Sequence, residues 1–187
     1  MLSRMKYVNR WGLMRNASTE NISEHSHQVA ILAHALAVIG NKKFSKNYNC
    51  ERAAVLGIYH DATETITGDM PTPVKYYNDS IINAYKDIEK IAAHRLLAML
   101  PDEFHNEFSP LLVANESDKE LWKLVKAADK LSSYIKSLEE IKSGNVEFES
   151  ASKSLKAKID AIDMEEVKYF TEHFLPAFSM NLDEHTK

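Results

Sequence analysis

Residues 56 to 73, LGIYHDATETITGDMPTP, place three ionisable side chains inside an apolar stretch. His60 and Asp61 are adjacent, and Glu64 follows about one helical turn later. If the segment continues as a regular helix, the three side chains fall within one arc of about 100°. Carboxylates on a helix that is apolar nearly all round are costly unless they are paired, protonated or bound to a cation. The ordinary alternative is a helix edge that reaches solvent or a basic partner, but the apolar setting favours a functional cluster.

Apolar residues recur at helical spacing along almost the whole chain, and no convincing alternating strand pattern occurs. Only five Gly and five Pro occur in 187 residues, which argues against a turn-rich all-β fold. The sequence therefore predicts an all-α, single-domain helical bundle over residues 1–187, with a core at about 20–140 and C-terminal helices at about 146–175.

Start and stop residues set the expected helix boundaries. We predict helices over about residues 22–39, 49–67, 78–100 and 117–143, one or two short helices over 102–115, and one or two more between 146 and 174. Gly40 is expected to end the first helix, and Pro110 to break the short segment. Ser117 and Glu120 have the spacing of a capping box at the start of the long helix.

Composition excludes several classes of partner. The formal net charge of −4 gives no general reason to bind nucleic acid or an acidic membrane surface. No apolar run approaches the ~20 residues of a membrane-spanning helix, and the first residues lack the apolar core of a secretory signal. A single cysteine, Cys50, allows no disulfide within the chain. We expect a cytoplasmic protein with no nucleic-acid or membrane partner.

Two residues far from the opening stretch are candidates to join His60 and Asp61. His25 lies on the apolar stripe of the first predicted helix, and Asp129 lies among small residues in VKAADKLSSYI. Each has an ordinary alternative, since His25 could be a core histidine and Asp129 could pair with a neighbouring surface lysine. Two His and two Asp side chains suit one divalent transition metal, and a water bound to such a metal is an effective nucleophile near neutral pH. Glu64 could then accept the proton of that water.

The order His25, then His60-Asp61, then Asp129 matches the H…HD…D signature of the HD-domain metal phosphohydrolases. The strings NRWGLMRN, ENISEHS, YHDATETITGDMPTPVKY and VKAADKLSSYIKSLEE resemble the bacterial 5'-deoxynucleotidases of that superfamily, over nearly the whole chain. The resemblance implies a helical bundle of the HD-domain type and one divalent metal ion, Co, Mn or another transition metal. It also implies a homodimer that removes phosphate from deoxynucleoside 5'-monophosphates, prefers deoxyribose and is loose about the base.

The resemblance also implies roles for individual residues. Glu64 and Arg10 are the expected catalytic residues, acting on the attacking water and on the phosphate respectively. The expected metal ligands are His25, His60, Asp61 and Asp129. The expected substrate-binding residues are Arg10, Trp11, His25, Asp61, Asp69, Thr72 and Asp129.

The expected substrate contacts differ along the nucleotide. Arg10 is expected to orient the phosphate, Trp11 to pack against the sugar and Asp69 to contact a sugar hydroxyl, with Thr72 in the same loop. Without the resemblance, each would have a simpler interpretation, as a solvated arm residue, a packing aromatic and a turn-capping acid respectively. Gly12 stands where close relatives are expected to have Pro, which predicts a looser loop on the sugar side.

Two alternative functions stay open. The same ligand set would serve an HD-type hydrolase of nucleoside triphosphates or cyclic phosphates, although a triphosphate site should offer more Lys and Arg near the motifs. The other alternative is a non-catalytic helical module that senses nucleotides. A pure sensor has no need for a base such as Glu64 beside a metal.

Overall fold

The computed structural model describes residues 1–185 of the chain and consists of helices joined by short turns. The α-helices are α1 Ile22–Lys43, α2 Cys50–Tyr59, α3 Glu64–Thr67, α4 Thr72–Lys75, α5 Asp79–Leu97, α6 His105–Leu112, α7 Lys119–Lys142, α8 Glu149–Asp160, α9 Glu165–His173 and α10 Leu182–His185. Short 3-10 helices cover Leu2–Tyr7, Asp102–Phe104, Val146–Phe148 and Leu175–Ser179. Within residues 1–185 the only extended pairing is one isolated antiparallel bridge between Asn9 and Asn21, so the prediction of an all-α fold is confirmed.

The core lies between α1, α2 and α7, and the metal-site candidates lie on α1, on α7 and directly after the end of α2. α1 packs against both α2 and α7, and α8 and α9 close the bundle against α7 and α1. Fully buried residues at this centre are Val29, Ala33, Leu36, Ala53, Leu56, Leu124, Ala128, Leu131 and Ile135. The apolar stripe predicted on the first helix contributes Val29 and Leu36 to this core, as helical spacing indicated. No helix in the described part of the chain is long and apolar enough to cross a membrane.

α1 begins with a complete capping box, in which Asn21 accepts from the Glu24 amide at 3.1 Å and Glu24 accepts from the Asn21 amide at 3.2 Å. The prediction that Gly40 ends this helix is wrong, because α1 continues to Lys43. A Cβ at Gly40 would lie 2.7 Å from the ring of Tyr48. Gly40 is therefore a point of close packing rather than a helix end.

The predicted helix over residues 49–67 is interrupted. It begins as expected, with the Asn49 side chain accepting from the Arg52 amide at 2.8 Å, but α2 ends at Tyr59. His60 Nδ1 lies 2.8 Å from the carbonyl oxygen of Gly57, the acceptor that the amide of Asp61 would use in a continuing helix. The following residues form turns until α3 starts, so the regular 100° spacing does not hold beyond Tyr59.

Two further boundary predictions are wrong. Pro110 lies inside α6 and does not break it, because in so short a helix the missing N–H removes a single hydrogen bond. The capping box at Ser117 does not form, since the Ser117 hydroxyl lies 2.8 Å from Asn115 Oδ1 and the N-cap of α7 is Asp118. Asp118 instead accepts from Arg52 Nη2 at 2.6 Å, which fixes the start of α7 against α2.

Candidate metal and phosphate site

The four predicted metal ligands meet where the start of α1, the end of α2 and the middle of α7 converge. His25 Nε2 lies 3.2 Å from Asp129 Oδ1 and 3.6 Å from Asp61 Oδ2. His60 Nε2 lies 3.0 Å from the same oxygen of Asp61. Ligand atoms of His25, His60 and Asp61 all lie within 4.8 Å of one another, a spacing that one metal ion can bridge. The structure thus brings together residues that are more than a hundred positions apart in the chain, such as His25 and Asp129.

The hydrogen bonds of His25 and His60 bear on whether these side chains can bind a metal ion. Nε2 of His25 and Nε2 of His60 are buried and make no well-aligned hydrogen bond, although a carboxylate oxygen lies 3.2 Å from the first and 3.0 Å from the second. Such buried nitrogens are costly unless another group binds them. Nδ1 of His60 faces the Gly57 carbonyl and so carries the ring proton, leaving the Nε2 lone pair free. Nδ1 of His25 lies 3.0 Å from the Ser132 hydroxyl, which itself donates to Gln28 Oε1 at 2.6 Å. A donated Nδ1–H of His25 would likewise leave Nε2 free for a cation.

Burial and neighbouring charges set the ionisation of the cluster. Burial lowers the pKa of His25, and the positive charge of Arg10 lowers it further, so the neutral ring that metals bind is favoured. Burial alone would raise the pKa of Asp129, but His25 and His60 hold it below its ordinary value. Burial would lower the pKa of His60, but the Asp61 carboxylate raises it, so a proton and a cation compete for this ring.

Glu64 lies at the start of α3 with one carboxylate oxygen, Oε2, buried and without a hydrogen-bond partner. Burial raises the pKa of Glu64 to about 9, and the negative charges of Asp61 and Asp69 add to this shift. A carboxyl group that is held close to a cation site but makes no structural hydrogen bond through Oε2 is suited to exchanging a proton with a small molecule.

Arg10 connects this cluster to the adjoining cavity. Its Nη2 donates to the Ser133 hydroxyl at 3.1 Å and lies 3.9 Å from Asp129 Oδ1. Its Nη1 donates to Glu20 Oε2 at 2.8 Å and lies 2.6 Å from His25 Nδ1. If His25 Nδ1 accepts from Arg10, the ring proton sits on Nε2 and faces Asp129; if Nδ1 donates to Ser132, Nε2 is free. The imidazole of His25 therefore has two tautomers with different partners.

A cavity of about 300 Å³ opens beside Arg10. Its lining includes the four residues expected on the phosphate and sugar side, Arg10, Trp11, Asp69 and Thr72, together with Gly12. Trp11 adopts a left-handed backbone conformation with φ of 61°, which is uncommon for a residue other than glycine. Four of the seven predicted substrate residues therefore line one cavity, whereas the other three, His25, Asp61 and Asp129, are not among its lining residues.

Sequence reasoning missed two parts of the site. Glu20, which accepts hydrogen bonds from both Arg10 and Trp11, gave no signal beyond being an acid just before the α1 cap. α8 lines the far wall of the cavity through Ala151, Ser154 and Leu155. This contribution could not be found from spacing, because it depends on how α8 returns along α7.

Solved structures with the same helical fold include HD-domain phosphohydrolases. A crystal structure of an HD-domain phosphohydrolase from Listeria innocua aligns with a TM-score of 0.82 and 22% identity, covering 100% of this chain and 90% of the other. A cyanophage S-2L HD phosphohydrolase, solved with dA and one catalytic Zn²⁺, aligns with a TM-score of 0.63 and 17% identity, covering 93% and 94% of the two chains.

The sequence comparisons are more specific. A family model described as 5'-deoxynucleotidase YfbR-like matches residues 1–178. The 5'-deoxynucleotidase of Vibrio atlanticus is 51% identical over 98% of this chain and 94% of its own length. The 5'-deoxynucleotidase yfbR of Photorhabdus temperata is 53% identical over 98% and 93%, respectively. The chain belongs to the YfbR-like 5'-deoxynucleotidase family.

Proposed function

We propose that this protein is a metal-dependent phosphomonoesterase that hydrolyses deoxynucleoside 5'-monophosphates to deoxynucleosides and phosphate, with loose base specificity. The observation that carries the proposal is the pair of buried, unpartnered Nε2 atoms of His25 and His60 beside Asp61, next to a cavity that contains Arg10. Membership of the family and the names of relatives about half identical over nearly the whole chain support the same activity.

His25, His60, Asp61 and Asp129 would hold one divalent metal ion, Co²⁺, Mn²⁺ or another transition metal. When bound, such an ion supplies positive charge to the phosphate and lowers the pKa of a water molecule. Imidazole nitrogen and carboxylate oxygen together suit this group of metals. The unpaired Nε2 atoms of His25 and His60 support this ligand set, and the raised pKa of His60 indicates that a bound cation would replace a proton on that ring.

Two residues of this chain carry the hydrolytic step. Arg10 presents a planar set of N–H donors that binds phosphate oxygens and offsets the charge on the phosphoryl group. Glu64 accepts a proton from the attacking water as the new O–P bond forms and the bond between phosphorus and the 5'-oxygen breaks, and the departing 5'-oxygen takes its proton from water. No covalent intermediate with the protein is required.

We assign recognition of the sugar to Trp11, Asp69 and Thr72, which line the cavity beside Arg10. Trp11 packs against the sugar, where its ring would crowd a 2'-hydroxyl, and Asp69 contacts a sugar hydroxyl, with Thr72 in the same loop. The cavity lining includes the apolar side chains of Met70 and Leu155, which would pack against any base without reading its hydrogen-bonding edge. This arrangement supports selection for deoxyribose with little selection for the base.

The alternative functions have less support. A triphosphate would need additional positive charges, whereas the cationic side chains that line the cavity are Arg10 and Lys158. Lys75, the other basic residue near the motifs, pairs with Glu89 at 3.0 Å. A nucleotide-sensing module without catalysis would gain nothing from the costly buried carboxyl of Glu64.

We also propose that the protein acts as a homodimer in the cytoplasm, with no nucleic-acid or membrane partner. Three isoleucines on one face of α5 are partly exposed, Ile81 at 38%, Ile88 at 47% and Ile91 at 55%. Spacings of seven and three residues place them on one stripe, which a second copy could cover. Sedimentation of the purified protein measures this association.

The test of the activity is a panel of phosphate-release assays. Deoxynucleoside 5'-monophosphates, matching ribonucleoside 5'-monophosphates and deoxynucleoside triphosphates are each offered with Co²⁺, Mn²⁺ or Mg²⁺. We expect release from all deoxynucleoside monophosphates, slower release from ribonucleotides and little from triphosphates. Faster hydrolysis of triphosphates would favour the first alternative, and no turnover with any pair would favour the sensing module.

A further inference from the structure

We propose that Glu20 is a positioning residue that couples phosphate binding by Arg10 to sugar discrimination by Trp11. The inference rests on the proposed function, because it takes Arg10 and Trp11 as the phosphate and sugar contacts. It goes beyond that function by assigning the link between them to one carboxylate oxygen.

The contacts of Glu20 carry the inference. Its Oε2 accepts from Arg10 Nη1 at 2.8 Å and from Trp11 Nε1 at 3.0 Å. The Glu20 carbonyl oxygen also accepts from the Arg10 backbone amide at 2.9 Å. Both side chains of the ion pair are shielded, with Arg10 12% and Glu20 11% exposed, so the charge-assisted bond is only weakly screened by water. Neither residue can turn without breaking a contact to the same carboxylate.

The backbone conformation of Trp11 explains why its side chain needs a hydrogen bond that fixes its orientation. A φ of 61° costs a residue other than glycine about 1 kcal/mol or more, so this conformation persists only if its surroundings hold it. The Met14 amide holds the Trp11 carbonyl at 2.9 Å, and Glu20 holds the indole nitrogen at the other end. The Trp11 ring also lies 5.2 Å from that of Phe148, which limits its movement on one side. Glu20 therefore fixes the direction in which the indole faces the cavity.

Because Arg10 and Trp11 share Glu20 Oε2, we predict how ribonucleotides are discriminated from deoxyribonucleotides. A ribose 2'-hydroxyl that pushes the indole aside would also disturb the bond between Glu20 and Arg10, because both end on Oε2. The guanidinium would then lose its alignment on the phosphate. Ribonucleotides should consequently have a lower kcat as well as a higher KM. The reason is that the displaced Trp11 also misaligns the Arg10 guanidinium, which acts on the reacting phosphate.

The experiment compares Glu20→Ala, Glu20→Gln and wild type in phosphate release from deoxyadenosine and adenosine 5'-monophosphates, with metal content and thermal midpoint measured in parallel. We expect Glu20→Ala to lower kcat/KM for the deoxynucleotide by about tenfold or more and the preference for deoxyribose by about fivefold, corresponding to the loss of one or two charge-assisted bonds. Metal content should stay unchanged, because the side-chain hydrogen bonds of Glu20 go to Arg10 and Trp11 and not to His25 or His60.

Glu20→Gln separates the two roles. It keeps an oxygen that can accept from Trp11 but removes the negative charge that orients Arg10. We expect the preference for deoxyribose to be largely retained while KM rises. The matched control is Glu139→Gln, an exposed glutamate on α7 that lines a second surface pocket together with Glu20, and it should behave as wild type.

The outcomes distinguish the inference from the function on which it rests. If wild type is active and Glu20→Ala keeps the full preference for deoxyribose, or loses activity together with metal, the inference is overturned. If wild type releases phosphate from no nucleotide, the proposed function fails instead. The positioning of Trp11 is then still measured by acrylamide quenching of tryptophan fluorescence, which Glu20→Ala should increase relative to Glu139→Gln; equal quenching overturns the inference.

Discussion

At the scale of single residues, Glu64 carries a cost to folding that its proposed role as a base would explain. Its folded pKa of about 9 lies above the ordinary value of 4.5, so the fold favours the protonated carboxyl. As pH rises above 4.5, the folded metal-free protein must either keep a proton or bury a charge, and its stability falls. A residue that serves only the fold would not carry this cost.

Glu64→Gln should therefore stabilise the metal-free protein while removing its activity. Glutamine cannot ionise, so at pH 7.5 the free energy of unfolding should rise by about 1–3 kcal/mol, and phosphate release by the metal-loaded protein should fall by about 100-fold or more. Urea denaturation in the presence of a chelator measures the first effect, with the exposed Glu51→Gln on α2 as control. The gain should shrink at pH 4.5; an equal gain at both pH values would contradict the explanation.

Asp129 is the predicted ligand whose assignment is easiest to test by metal content. Its carboxylate lies 3.2 Å from His25 Nε2, but its side chain is 40% exposed. We expect Asp129→Ala to lose most of the bound transition metal, measured by elemental analysis after dialysis. Asp87→Ala, an exposed aspartate on α5, should keep it. Unchanged metal in Asp129→Ala would remove this residue from the ligand set.

The candidate site was predictable to the extent that its residues have unusual surroundings in the sequence. His60 and Asp61 stand out against an apolar segment, and the order of the motif selects His25 and Asp129. Glu20 does not stand out, because an acid in a polar stretch before a helix is ordinary and its partners are defined only by the folded loop. The proton positions of His25 also depend on Ser132, which lies 107 residues away.

At the scale of secondary-structure elements, the junction of α1 and α2 decides whether the two histidines meet. A Cβ at Gly57 would lie 2.7 Å from the Cα of Ala30 and 2.9 Å from its backbone nitrogen, so the helices touch through their backbones. The Gly57 carbonyl also bonds to His60. The same residue thus sets the helix spacing and the orientation of a predicted ligand, and this is why the break after Tyr59 could not be foreseen from helical spacing.

Gly57→Ala should separate α1 from α2 and weaken metal binding. The clash is with backbone atoms that cannot turn away, so we expect a loss of about 1–3 kcal/mol in stability and a lower affinity for the metal. Chemical denaturation and metal titration measure the two effects. Gly12→Ala is the matched control, since a Cβ there has no neighbour within 4 Å. A Gly57→Ala protein with wild-type stability would disprove the close approach.

At the scale of the whole molecule, a buried ion pair joins the N-terminal loop to the bundle. Glu140, 1% exposed, pairs with Lys136 and accepts from the backbone amide of Ala17 at 2.7 Å. The Asn145 side chain reaches the same carboxylate at 2.7 Å and the Arg15 carbonyl at 2.7 Å. The sequence predicted the helices that meet here, but this tie between a loop and α7 spans more than a hundred residues and has no local pattern.

This ion pair predicts a pH dependence of stability. Burial alone would raise the pKa of Glu140, but the Lys136 ammonium and the amide donors lower it to about 2. The stabilisation is therefore present above the ordinary carboxyl pKa of 4.5 and is lost as pH falls towards 2. Thermal midpoints should show Glu140→Gln less stable than wild type at pH 6, with the difference shrinking below pH 4. A difference that grows in acid would reverse the sign and refute this account.

Backbone hydrogen bonds join the two ends of the loop that carries Arg10 and Trp11. The Ile22 amide donates to the Val8 carbonyl at 3.0 Å, and Asn9 pairs with Asn21, so the two ends meet beside the start of α1. A loop whose ends are fixed and adjacent can change its inner sequence without moving the helices. Variation within such a loop offers evolution a route to new sugar preferences on an unchanged hydrolytic centre.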